Sequence, residues 1–188
     1  LAFSRLTRSD ESFSVTNLAH ILTDIISDFE ITIEQKSAKV RVEALPVIEA
    51  MPTQMRQLFQ NLISNALKFS KVDTSPEIIV SSEIIQAKDL PLGLKNKSKG
   101  VGKYCKISIK DNGIGFDDKY ADKIFVIFQR LHGRSEYPGT GIGLAVCKKI
   151  LDNHHGFITA SSKTQKGSVF NVFLPMKQHS TEQLTLTI

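Results

Sequence analysis

Asn61, Asn65 and Lys68 share one stripe of an expected helix. At about 100° per residue, Asn65 falls about 40° to one side of Asn61 and Lys68 about 20° to the other. Met55, Leu58, Phe59, Leu62, Ile63 and Ala66 occupy the opposite side, so two carboxamides and an ammonium sit along the edge of a buried helix. A carboxamide oxygen is a neutral, hard ligand. It suits Mg²⁺, which keeps several waters and takes few protein ligands when phosphates complete its shell. The Lys68 ammonium can meet phosphate charge directly. Taken alone, the same stripe is also what any amphipathic helix shows to solvent.

Two glycine segments add to it. Asp111-Asn112-Gly113-Ile114-Gly115 follows the β-rich run Ile107-Ser108-Ile109. A carboxylate at a strand end, with glycines that let backbone approach a ligand, can accept from the exocyclic amine of a base. An ordinary Asp-x-Gly turn has the same letters. Gly139-Thr140-Gly141-Ile142-Gly143-Leu144 opens a helix, where backbone N–H groups and the positive dipole end form an anion site. The spacing is GxGxG, with no strand just before it and no acidic partner about 20 residues on, which excludes a dinucleotide fingerprint. No GxxxxGK[ST] is present, which excludes a P-loop. A third glycine turn, Gly167-Ser168, means little by itself.

The elements that must position these groups can be read from periodicity. Leu18, Ile21, Leu22, Ile25, Ile26, Phe29 and Ile33 predict one amphipathic helix capped by Thr16 or Asn17. Lys39–Glu43 alternates as a strand. Pro52 opens a helix to about Ser70. Glu77–Gln86 and Tyr104–Lys110 are strands joined by a lysine-rich, solvated loop. Asp118–Phe128 reads as helical, and so does Gly141–Asn153. Phe157–Ser162 and Ser168–Leu174 close the chain as a hairpin. This succession predicts an α+β, two-layer sandwich: a mixed, mostly antiparallel sheet with helices on one face.

Composition sets outer bounds. The 188 residues suffice for one well-filled domain, and 41% hydrophobic with 23% charged residues is ordinary for a soluble globular protein. No apolar run approaches the roughly 18 residues of a membrane helix. The chain therefore reads as cytoplasmic, with any membrane segment of a larger parent lying elsewhere. Cys105 and Cys147 are far apart and read as reduced structural thiols. The net charge of +5 concentrates at Lys88, Lys95, Lys97, Lys99 and Lys103, in a Pro/Gly-containing loop without interleaved aromatics. That pattern argues against nucleic-acid binding.

In this order the segments resemble the catalytic domain of sensor histidine kinases, within the wider gyrase, chaperone and mismatch-repair ATPase superfamily. Gln57 to Ser70 matches the N box and Asp111 to Phe116 the G1 box. Ile124 to Leu131 matches the F box, Gly139 to Leu144 the G2 box and Lys166-Gly167-Ser168 the G3 element. The resemblance implies a Bergerat-type fold that binds ATP and Mg²⁺. It implies that Asn65 ligates Mg²⁺, that Asn61 assists at the metal–phosphate end, and that Lys68 contacts phosphate. Phe69 would border the adenine and Asp111 accept from its amine, with Gly113 and Gly115 allowing close approach. Arg130 would reach the γ-phosphate and Gly139, Gly141 and Gly143 would wrap the phosphates, with Thr140, Ile142, Leu144 and Ser168 also in the nucleotide site. Arg130–Pro138 would be the lid over ATP; Phe125 and Phe128 would serve it by packing as core residues.

Gyrase-type relatives place a Glu general base where this chain has Asn61. The absence of that base favours transfer to a histidine over hydrolysis. The expected partners are a dimerisation domain bearing the phosphoacceptor His and the receiver domain of a response regulator. Two departures stand out: Met51 replaces the usual polar cap before Pro52, and His154-His155-Gly156-Phe157 replaces a His-Gly-Gly turn. None of His20, His132, His154, His155 or His179 has a phosphoacceptor context. Residues 1–10 resemble the end of the dimerisation hairpin, 11–175 the catalytic domain, and 176–188 a tail or linker. The expectation is a monomeric fragment of a homodimeric parent that binds ATP without phosphorylating itself. The alternative left open is a degenerate nucleotide-binding regulatory module of the same fold.

Overall fold

The computed structural model describes residues 11–95, 102–129 and 140–178. Strand β1 (Ser14–Asn17) leads into helix α1 (Leu18–Asp28), followed by α2 (Glu30–Gln35), β2 (Lys39–Val42), β3 (Val47–Ala50) and α3 (Pro52–Lys68). Next come β4 (Glu77–Gln86), the short α4 (Leu92–Lys95), β5 (Lys103–Asp111), α5 (Gly143–Asn153), β6 (Phe157–Lys163) and β7 (Gly167–Pro175). The main sheet has the order β2-β4-β5-β7-β6; β2 runs parallel to β4 and every other neighbour is antiparallel. Two-residue alternation puts Cys105, Ile107 and Ile109 of β5 on the buried face, with Ile78 and Val80 of β4 and Phe170, Val172 and Leu174 of β7. Helices α1, α3 and α5 cover that face through Leu18, Leu22, Ile25, Leu58, Phe59, Leu62, Ile63, Val146 and Ile150. The expected two-layer α+β sandwich is the observed one.

Three local expectations are corrected. The single helix over 18–33 is two, because Phe29 leaves helical geometry (ψ 6°) and its N–H is shared between the Ile25 and Ile26 carbonyls. The apolar period survives that bend, since Phe29 and Ile33 still pack on the core. Asp118–Phe128 is not an α-helix but two 3₁₀ turns, Asp118–Tyr120 and Lys123–Phe125. There the Asp117 carboxylate takes the Lys119 N–H and the Asp118 carboxylate the Ser162 N–H, offering backbone groups an alternative to a helical ladder. Phe125 is core, 8% exposed, but Phe128 is 75% exposed with φ 63°, so it does not pack as expected.

The pair β1–β3 was not anticipated. It forms a separate two-stranded antiparallel sheet, Ser14 opposite Ala50 and Asn17 opposite Val47. Asn17, one of the two expected caps, accepts from the Ala19 and His20 N–H groups at the start of α1. Thr16 instead donates to the Ser14 and Ala50 carbonyls. The other edge of β3 is held by the outgoing chain: Glu49 N–H donates to the Met176 carbonyl, and Gln178 N–H to the Glu49 carboxylate. The two cysteines are buried under the helices, and burial pushes each thiol up to about 12.

Met51 gives α3 no side-chain cap, as its sequence implied. The missing acceptor comes from far along the chain: Glu11 Oε1 accepts from Thr53 N–H at 2.7 Å. A carboxylate there also meets the positive end of the helix dipole. Glu11→Ala is expected to lower stability by about 1 kcal/mol, in the range of a lost N-cap. Urea denaturation should show a reduced midpoint with an unchanged slope.

Candidate functional site

The site is built where the C-terminal end of β5, the C-terminal end of α3 and the N-terminal end of α5 converge. Along α3, Leu58, Phe59, Leu62, Ile63, Ala66 and Leu67 are buried. Asn61, Asn65 and Lys68 are half-buried on the remaining edge, as the helical spacing predicts. Asn61 Nδ2 donates to the Gly143 carbonyl at 3.3 Å, and Asn61 Oδ1 accepts from Gln57 Nε2 at 3.4 Å. The polar stripe of α3 is therefore in direct contact with Gly143 at the start of α5. Lys68 Nζ lies 4.5 Å from the centroid of the Phe69 ring, leaving the cation at the helix end.

Asp111 continues the inward-facing row of Cys105, Ile107 and Ile109, so a carboxylate ends an apolar row on the helix side of the sheet. It is 9% exposed. Its Oδ1 accepts from Gly113 N–H at 2.9 Å and from Ser168 N–H at 3.1 Å. Burial raises its pKa above the ordinary carboxylate value, and these two N–H bonds pull in the other direction without cancelling the rise. Both bonds end on Oδ1, so Oδ2 remains for another donor.

Glycine is required at two of these turns. A Cβ on Gly113 would overlap the Phe69 carbonyl oxygen, which also accepts from Ile114 N–H at 2.9 Å. Gly167, at φ 89°, lies so close over the Asp111 carbonyl that any side chain would collide with it. The G1 turn is thus pressed between the end of α3 and the β6–β7 hairpin. Ser162 fastens it from the hairpin side: its Oγ accepts from Phe116 N–H at 2.9 Å and donates to the Gly167 carbonyl at 2.8 Å. Nothing in the sequence marked Ser162, because one serine among the hydroxyls of a hairpin carries no spacing signal.

At α5, Gly141 has φ 73°, Ile142 precedes the helix without a side-chain cap, and first-turn N–H groups have no acceptor within their own helix. Thr140 is exposed. Arg130 and Gly139, with the expected lid, lie outside the described residues. A groove of about 700 Å³ runs between Phe116–Asp118 and the β6–β7 hairpin. Asp111 and Ser168 line it, but it touches none of Asn61, Asn65 and Lys68, so it is distinct from the space between α3 and α5.

A carboxylate at a strand end, an amide-bearing helix edge and a glycine-opened helix thus meet on one five-stranded mixed sheet. The chain belongs to the family described as histidine kinase-, DNA gyrase B-, and HSP90-like ATPase, which matches residues 50–178. It is similar to cyanobacterial phytochrome A of Nostoc sp., 37% identical over 176 residues, covering 94% of this chain and 21% of that protein. It is also similar to the adaptive-response sensory kinase SasA of Prochlorococcus marinus, 32% identical over 178 residues, covering 91% of this chain and 42% of that protein. The chain thus spans less than half the length of these curated relatives. Among solved structures, the nucleotide-free catalytic domain of histidine kinase ThkA matches with a TM-score of 0.69 at 24% identity, covering 88% of this chain and 97% of that one. Full-length ShkA in complex with AMPPNP matches with a TM-score of 0.72 at 18% identity, covering 96% of this chain and 35% of that one. These two likenesses establish the fold.

The raised pKa of Asp111 fixes the sign of one prediction. A carboxyl whose folded pKa lies above its unfolded value is stabilised as the neutral form, so ionisation costs stability once pH rises through that window. Asp111→Asn keeps an oxygen for the two N–H groups without the buried charge. It is expected to melt at or above the wild-type temperature at neutral pH, with the difference vanishing in acid. Asp111→Ala, which strands both N–H groups, should lose about 1–3 kcal/mol. Calorimetric melting across pH checks both.

Proposed function

We propose that this chain binds Mg-ATP and supplies the phosphoryl donor for a histidine on a dimerisation domain outside these residues. The observation that carries it is the Asp111 carboxylate, whose Oδ1 is committed to Gly113 and Ser168 N–H groups while Oδ2 is left for the adenine amine. Gly113 and Gly115 let the base approach, with Phe69 and Ser168 at its border. The phosphates would then run toward α5, where Gly139, Thr140, Gly141, Ile142, Gly143 and Leu144 offer backbone N–H groups at a helix start.

The donor set fits Mg²⁺ held jointly with nucleotide. Among the described residues there is no group of three or more His, Cys, Asp or Glu side chains that could hold a metal alone. What α3 offers is the neutral oxygen of Asn65, a single hard ligand that needs phosphate oxygens to complete the shell. Bound there, Mg²⁺ would neutralise phosphate charge. Lys68 would add a point charge, and Arg130 would reach the γ-phosphate from the lid.

In phosphoryl transfer the protein contributes mainly position and charge neutralisation. The acceptor imidazole nitrogen would attack the γ-phosphorus as the bond to the bridging oxygen breaks, leaving ADP. Asn61 supports transfer over hydrolysis in two ways. A carboxamide cannot take a proton from water, and here it is already engaged with Gly143 and Gln57. The phosphorylated histidine would in turn serve a receiver domain.

Mixing this chain, Mg-ATP and the cognate hairpin domain should yield acid-labile phosphate on the hairpin histidine. A chain that binds ATP tightly yet transfers none favours a regulatory nucleotide module instead. Asn65→Ala should weaken Mg²⁺-dependent ATP binding by about 100-fold or more while melting as wild type does, as expected when a metal contact is removed. Unchanged affinity by isothermal titration would remove the metal role from Asn65.

A further inference from the structure

His154 is fully buried just past the C-terminal end of α5, facing Met51, the residue that precedes α3. Its Nδ1 lies 2.7 Å from the Ile150 carbonyl and its Nε2 lies 3.0 Å from Met51 N. A carbonyl can only accept and a backbone N–H can only donate. The ring is therefore neutral, protonated on Nδ1 and accepting on Nε2. The Phe13 ring packs against it edge-on, with centroids 5.2 Å apart at 88°. Gln178 Nε2 donates to the His154 carbonyl at 3.1 Å.

The contacts between α3 and α5 run in opposite directions along the two helices. Met51 meets His154, Gln54 meets Asn153, Leu58 meets Cys147, and Asn61 meets Gly143. The imidazole is one end rung of an antiparallel pair whose other end carries Asn61 and the glycine helix start. A shift in the register of α5 on α3 moves those phosphate-side groups relative to each other.

We infer that His154 is a positioning residue for the nucleotide: its neutral imidazole holds α5 in register on α3, and Mg-ATP affinity falls when the ring takes a proton. This rests on the reading that ATP binds between Asn61–Asn65 and the Gly141–Gly143 turn. A protonated Nε2 would point a hydrogen at the Met51 N–H, replacing an acceptor with a second donor. Among the groups around the ring, Glu11 on the incoming segment favours the proton, and His155 on its own helix end opposes it. Helix α3 presents Met51 and the uncharged Gln54. The outgoing segment presents Gln178, whose N–H is held by the Glu49 carboxylate of β3. Burial, the largest influence, keeps the ring's pKa below its ordinary value. The stability that depends on the neutral ring is complete above the unfolded pKa of about 6.5 and is lost as pH falls from there toward the folded value.

The test uses the whole 188-residue chain with Mg-ATP as probe, titrated calorimetrically at about pH 7.5 and about pH 5.5. Wild type is compared with His154→Gln and His154→Ala, and amide exchange at Met51 is read on the same samples. Glutamine offers an amide donor group and a carbonyl acceptor without titrating in this range, so its own pH change reports the nucleotide's titration. Wild type should lose about three- to tenfold more affinity in acid than the Gln variant. The two should bind within about twofold of each other at the higher pH. The Ala variant should bind weakly at both values and expose the Met51 amide. Equal acid losses in wild type and the Gln variant, or wild-type affinity in the Ala variant, would overturn the inference. Absence of Mg-ATP binding in wild type with a protected Met51 amide would instead overturn the functional reading, and this inference with it.

Discussion

The Asp111 carboxylate is the joint on which the site's geometry turns. It sits on the helix-facing row of β5 directly after the buried Cys105, Ile107 and Ile109, and it is itself nearly buried. A charge in that place is tolerable only because two backbone N–H groups converge on one of its oxygens. Those two N–H groups belong to the G1 turn and to the start of β7. One side chain thus ties together a turn, a strand end and a hairpin, and the close approach of Gly167 to the Asp111 carbonyl makes that union compact. Phe69 completes it from the helix side, its carbonyl accepting Ile114 N–H above Gly113. Removing any one element would leave the others without their hydrogen-bond partners.

The helices supply the second constraint. Asn61 cannot be described as a solvated residue of an amphipathic face, because its carboxamide bridges Gln57 and the Gly143 carbonyl. The polar stripe of α3 is an interface with α5 as much as an edge offered to a ligand. One row therefore both contacts the start of α5 through Asn61 and carries Asn65 and Lys68 further along α3.

What was legible from sequence follows the range of the interactions involved. The α3 stripe, the glycine turns and the two-layer sandwich are written in local spacing, so helix period, strand alternation and glycine placement disclosed them. The β1–β3 pair was not, since four-residue strands far apart in sequence give no period of their own and depend on Thr16, Glu49 and Met176 meeting in space. The same holds for Glu11 capping α3 and for Ser162 clasping the G1 turn. The break at Phe29 and the 3₁₀ turns after Asp117 are failures of another kind. There the apolar spacing was right, but side-chain and bifurcated hydrogen bonds drew the backbone out of a regular helix.

The two buried cysteines carry a consequence of a different sort. With burial pushing each thiol up to about 12, the reactive thiolate is scarce at neutral pH. Both sulfurs are buried, Cys105 on β5 and Cys147 on α5, and neither forms a disulfide. Peroxide or a shift in cellular thiol balance finds little purchase on either thiol. Neither thiol is placed to sense cellular redox state, so the two cysteines serve this domain as small apolar core side chains.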